Sequence, residues 1–206
     1  LNFFTFLLYG TVSICIMVFI NPFIRIWIGE EYVLSNWVAF LISFNLYITG
    51  MQSVTTSFRN AYGLFYKAKY RPIFMCILNI IISVILAYYF GISGVILGTI
   101  ISRLITVVWL DPYIIYEYGF KENVKDFYKQ YSIYLLLYLI LGGITMLCYH
   151  YLSISNLVVF ILYGIVTFSL LVSIICLLFH KTKEFRYFYD YMIPKINKFL
   201  KKKRVS

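Results

Sequence analysis

PIFMCILNIIISVILAYYFGISGVILGTIIS, residues 72–102, contains no charged side chain, and Arg103 follows it directly. The 31 uncharged positions are too many for one membrane helix and too few for two helices with a loop. One crossing takes about 20 residues. Turn chemistry sits at Gly91-Ile92-Ser93-Gly94, so the stretch holds one whole helix, Ile73–Phe90, and the first half of a second, Gly94–Tyr113. Arg103 then lies about ten residues into the second helix, near the bilayer midplane. A charge at that depth costs about 2.5 to 3.5 kcal/mol on insertion scales, and such residues face a bundle interior or a water-filled cavity.

The 206-residue chain is 62% hydrophobic and 13% charged, with a mean hydropathy of +0.85. Soluble domains carry about 25% charged residues. Barrel strands would show weak alternation over about ten residues. The apolar runs here are long and continuous, which identifies helices that close their own backbone hydrogen bonds in lipid. The expected fold is therefore all-α. It is a polytopic membrane protein with six transmembrane helices at Phe3–Ile20, Trp37–Phe58, Ile73–Phe90, Gly94–Tyr113, Ile133–Tyr151 and Leu157–Phe179. Residues 131–180 carry no Asp, Glu, Lys or Arg and hold the last two, with Ser153-Ile154-Ser155-Asn156 as the turn. The chain begins at Leu1 inside an apolar run without a basic n-region or cleavage site, so it reads as the C-terminal part of a longer protein.

Lys and Arg set the orientation. Arg59, Lys67, Lys69 and Arg71 follow the second span, and Lys121, Lys125 and Lys129 follow the fourth. Nine more, from Lys181 to Arg204, follow the sixth. Sixteen of the 18 basic residues thus share one side, while the opposite loops hold Arg25 beside Glu30 and Glu31. Both ends of the chain are expected in the cytoplasm. The net charge of +10 needs no nucleic acid, because the positive-inside rule accounts for it. From Ile193, apolar residues at Ile193, Ile196, Phe199 and Leu200 alternate with lysines. That tail reads either as a short amphipathic helix on anionic lipids or as a solvated basic tail.

Polar residues inside the spans are the candidate site. Asn45, Thr49, Gln52 and Thr56 share one face of the second span, and Arg59 continues it. The fourth span repeats the theme with Thr99, Arg103 and Thr106. Two readings fit: a polar face toward a cavity, or hydrogen bonding between packed helices. Arg103 likewise reads as a cavity charge for an anion or as a structural residue. Asp111 is about 80° around and 12 Å along from Arg103, out of direct reach on a regular helix. Asp111-Pro112 is expected to mark a kink or the cytoplasmic end of its span. Asn79 and Ser83 read as packing residues, and Gly94 and Gly98 form a GxxxG spacing that permits close contact. Cys15, Cys76, Cys148 and Cys176 fall inside spans without CxxC spacing and read as small buried apolar residues. His150 and His180 cannot form a metal cluster by themselves. No cofactor, metal or catalytic set is expected.

Several ordered stretches carry a resemblance. They are Pro22-Phe23-Ile24-Arg25-Ile26-Trp27-Ile28-Gly29, Asn60-Ala61-Tyr62-Gly63, Ala68-Lys69-Tyr70-Arg71-Pro72, Phe90 through Ser102, and Trp109-Leu110-Asp111-Pro112. Together they resemble the C-terminal lobe of polysaccharide flippases in the multidrug/oligosaccharidyl-lipid/polysaccharide exporter superfamily, roughly over residues 19–120. The resemblance implies two six-helix lobes around a cavity and two further spans. Residues 1–120 would belong to the C-terminal lobe and 121–180 would be the additional spans, with a basic tail at 181–206. It implies alternating-access transport of undecaprenyl-pyrophosphate-linked oligosaccharide, not catalysis, in a bacterial plasma membrane. The implied partners are that lipid-linked substrate and the N-terminal lobe. On the cavity reading of the polar faces, substrate would meet Arg103, Asn45, Thr49, Gln52, Thr56, Arg59, Thr99 and Thr106. A drug or cation exporter of the same superfamily, a membrane-embedded glycosyl- or acyltransferase, and a scaffold subunit are the alternatives. Cysteine labelling of intact cells from outside should reach positions near Glu30 and Ser155 and spare those near Lys67 and Lys125; labelling near Lys67 would contradict the six-span topology.

Overall fold

The computed structural model describes residues 1–150, 154, 156–182 and 185–186. Six helical segments are long and apolar enough to cross a membrane: Asn2–Trp27, Asn36–Ala61, Leu64–Phe90, Ile92–Phe120, Lys125–Tyr149 and Leu157–Phe179. No strand occurs among the described residues. Residues 153 and 155 of the expected turn and the whole expected amphipathic tail from Ile193 lie outside the described residues.

Two spans outrun their expected ends. The first continues through Pro22 to Trp27. Proline removes one ladder bond, but Phe23, Ile24 and Ile26 prolong the apolar run, and Gly29 at φ 133° ends it. The loop that follows is fastened by Asn21, which donates to the Leu34 carbonyl (2.8 Å) and accepts from its N–H (3.1 Å). Ser35 caps the second span by accepting from the Val38 N–H. The fourth span does not stop at Asp111-Pro112: it breaks at Val107–Trp109, resumes at Leu110 and runs to Phe120.

The first span lies at the centre and packs against the second, fifth and sixth. Ser43 donates to the Ser13 carbonyl at 2.6 Å, so Tyr138, also at 2.6 Å, donates to Ser43. This buried knot joins the first, second and fifth spans. Around it Phe6 stacks on Tyr134 (4.7 Å between centroids) and Tyr47 on Tyr138 (4.3 Å). Leu171 and Ile175 of the sixth span enter the same core. The last two spans therefore share one packed core with the first two. The four cysteines depart from expectation: Cys76 and Cys148 are exposed, and Cys15 and Cys176 are half-buried. An apolar residue in a membrane helix has no need to enter protein, since lipid tails solvate it equally well.

The third and fourth spans form a tight antiparallel hairpin around Gly91, whose φ of 58° suits glycine. Gly94 and Gly98 realise the GxxxG spacing. A Cβ on Gly94 would lie 2.0 Å from the Leu86 carbonyl oxygen, and one on Gly98 would lie 2.6 Å from Ser83 Cα. Asn79 donates to Thr99 (3.1 Å) and Ser102 (3.3 Å), and Ser83 to the Val95 carbonyl (3.3 Å), the packing roles expected of both residues. Gly94→Ala or Gly98→Ala should each cost about 1 to 3 kcal/mol by forcing backbones apart. Gly143→Ala, which meets open space, should leave thermal melting of the purified protein near wild type.

Candidate functional site

Asp111 is the one carboxylate between Glu31 and Glu117, and the break in the fourth span positions it. Pro112 has no N–H, and its ring crowds the carbonyl four residues earlier. The Val108 N–H reaches back to the Arg103 carbonyl (3.2 Å). Polar side chains then take up carbonyls around the break: the Trp109 indole donates to the Ile105 carbonyl, and the Tyr128 hydroxyl to the Trp109 carbonyl.

Asp111 is fully buried there. Arg59, in the last turn of the second span, donates to Oδ1 at 2.7 Å. Arg71, at the start of the regular part of the third span, donates to Oδ2. The Thr56 hydroxyl adds a contact to Oδ2 at 3.3 Å. Two guanidiniums on one carboxylate leave the cluster with one net positive charge. The helix Arg71–Phe90 has 20 residues, about 30 Å of rise. The cluster thus lies about one hydrocarbon thickness from the Gly91 turn, at the opposite interface.

Arg103 lies about 18 Å from that turn by the same rise, the midplane depth its sequence position implies. It is half-buried and donates from Nη1 to the Thr49 hydroxyl. No carboxylate among the described residues pairs with it, and its buried Nε lacks an acceptor there. Thr49 is exposed and passes its own proton to the Asn45 carbonyl (2.7 Å). The Asn45 Oδ1 and Gln52 Nε2 atoms are buried without partners among the described residues.

The expected stripe is therefore divided. Thr49 and Arg103 meet at mid-depth, where Thr49 is exposed, whereas Asn45 is half-buried and Gln52 is buried. Thr56 and Arg59 belong to the Asp111 cluster. Thr99 accepts from Asn79 of the third span, and Thr106 is buried and donates to the Ser102 carbonyl at 2.6 Å. Neither hydroxyl bonds to Arg103. Sequence reading missed the joint role of Asp111 and Arg71. A signal was present, because a lone carboxylate amid intramembrane and interfacial arginines is expected to find one of them.

Comparison with protein-family models, curated proteins and solved structures finds no match for the chain.

Removing one partner of a buried ion cluster costs about 3 to 5 kcal/mol, whereas replacing all partners with apolar residues is often neutral or stabilising. Asp111→Ala should accordingly lower the melting temperature sharply. The triple variant Arg59→Met, Arg71→Met, Asp111→Leu should return it to wild type or above. A triple variant no more stable than Asp111→Ala would contradict this account.

Proposed function

We propose that the chain forms the C-terminal half of a flippase that carries lipid-linked oligosaccharide across a bacterial plasma membrane, with its C-terminus in the cytoplasm. The observation that carries the reading is the uncompensated Arg103 guanidinium at mid-depth. It donates to the Thr49 hydroxyl on a face where Thr49 is exposed, and no carboxylate among the described residues pairs with it. A missing N-terminal lobe closing over that face would turn it into the wall of a cavity. The cargo's pyrophosphate would supply the countercharge, and a guanidinium fork fits phosphate oxygens in pairs.

The contrast with Asp111 argues against a cation exporter. A cation site needs a free carboxylate, and Asp111 is already engaged by two arginines. A transferase would need acid or base groups at the site, whereas the groups around Arg103 are hydroxyls and amides.

Complementation of a flippase-null strain by the whole protein tests the reading. Arg103→Ala should abolish polymer export while immunoblots show near-normal protein. Losing one charge-assisted contact costs about 1.5 to 3 kcal/mol, roughly a 10- to 150-fold loss of affinity. Arg103→Lys should restore part of the export, because it keeps the charge and loses the fork. Full export by a well-expressed Arg103→Ala variant would overturn the role.

A further inference from the structure

A cleft of about 330 Å³ opens between the two arms of the hairpin at its charged end. Lys67, Tyr70 and Arg71 form its rim, and Phe74, Ile105 and Trp109 are among the residues that wall it toward the midplane. We infer that this cleft binds the phosphate headgroup of an anionic membrane lipid, with the lipid tail lying along the apolar wall.

Charge balance is the first argument. The Arg59–Asp111–Arg71 cluster keeps one positive charge in excess. Asp111 takes Nη1 of Arg71, and the guanidinium's buried Nε has no acceptor among the described residues. The Lys67 ammonium lies over the Tyr118 ring, 4.5 Å from its centroid, and Lys69 lies over Tyr66 and Tyr70 at 4.9 and 4.8 Å. Cation–π contact holds an ammonium in place without cancelling its charge. No carboxylate among the described residues pairs with either lysine. The rim therefore presents a surplus of cations.

Shape and depth supply the second argument. Phe74, Ile105 and Trp109 are 63%, 50% and 53% exposed, so the wall below the rim is apolar and open to the bilayer. A free phosphate would gain nothing from that wall, whereas a headgroup with an attached tail uses both parts. The rim lies at the interface, by the 20-residue rise from Gly91, which is the level of lipid phosphates. Basic pockets between transmembrane helices at such an interface hold anionic headgroups.

This inference does not rest on the transport reading, since it is tested by lipid retention and not by export. Native mass spectrometry of the purified full chain, titrated with phosphatidylglycerol, phosphatidylcholine and inorganic phosphate, is the experiment. Phosphatidylglycerol should bind more tightly than phosphatidylcholine, and millimolar inorganic phosphate should not displace it. Lys67→Gln should weaken phosphatidylglycerol roughly fivefold, as about 1 kcal/mol per interfacial lysine requires. Lys125→Gln, which removes a basic residue that does not line the cleft, should change it less than twofold. Ile105→Trp, which obstructs the wall and keeps the rim, should also weaken it and serves as the readout if Lys67→Gln fails to fold. Equal binding of the two lipids would overturn the site. So would an effect of Lys125→Gln equal to that of Lys67→Gln, which marks diffuse attraction. Displacement by inorganic phosphate, or unchanged binding in Ile105→Trp, would overturn the lipid assignment.

Discussion

One carboxylate holding two arginines is the constraint on which the basic end of this molecule depends. The third span is scarcely buried and packs chiefly on the fourth. Small residues close the hairpin at its Gly91 end, and Asp111 closes it at the other by accepting from Arg71. Arg59 then ties the same carboxylate to the second span, and through it to the Ser13–Ser43–Tyr138 knot of the core. In a low-dielectric setting an ion contact is far stronger than in water, and an orphaned charge is correspondingly costly. Three elements are thus fixed relative to one another by a group that cannot be removed singly.

That arrangement divides the arginines by task. Arg59 and Arg71 share a countercharge inside the described chain. Arg103 has a threonine hydroxyl and no countercharge there, yet it occupies the depth where a charge costs most. Its face, where Thr49 is exposed, has the polarity of a surface that something else completes. The transport proposal rests on this asymmetry, because the same side-chain type is neutralised at the interface and left open at the midplane.

Much of the fold was legible in the sequence because lipid imposes strong rules. The six spans, the turn at Gly91, the depth of Arg103 and the GxxxG contact follow from length, charge spacing and small-residue spacing. The first span is expected to end at Ile20, but the apolar run beyond carries the helix through Pro22 to Trp27 despite one lost hydrogen bond. For the fourth, Asp111-Pro112 is expected to mark a kink or an end; the helix breaks just before the pair, at Val107–Trp109, and then runs on to Phe120. The cysteines were misplaced because hydropathy does not distinguish a lipid-facing from a protein-facing position. Within the candidate site, helical spacing put Thr49 and Arg103 on polar faces but did not show that they meet. It also grouped Thr56 and Arg59 with Asn45 on one stripe. The distant partner Asp111 separates them, and pairing across 52 residues leaves no periodic trace.

The break at Val107–Trp109 lies between Arg103 and Asp111 and divides the fourth span into two segments held by different contacts. Below it, Asp111 is anchored to two other elements. Above it, glycines hold the helix against the third span. Between them, the Trp109 indole and the Tyr128 hydroxyl supply side-chain bonds to backbone carbonyls where the regular ladder is interrupted. A helix bends most cheaply where its ladder is already broken. Rotation of the upper segment there would carry the third span with it, because Gly94, Gly98 and Asn79 hold the two together and Arg71 ties that span to Asp111.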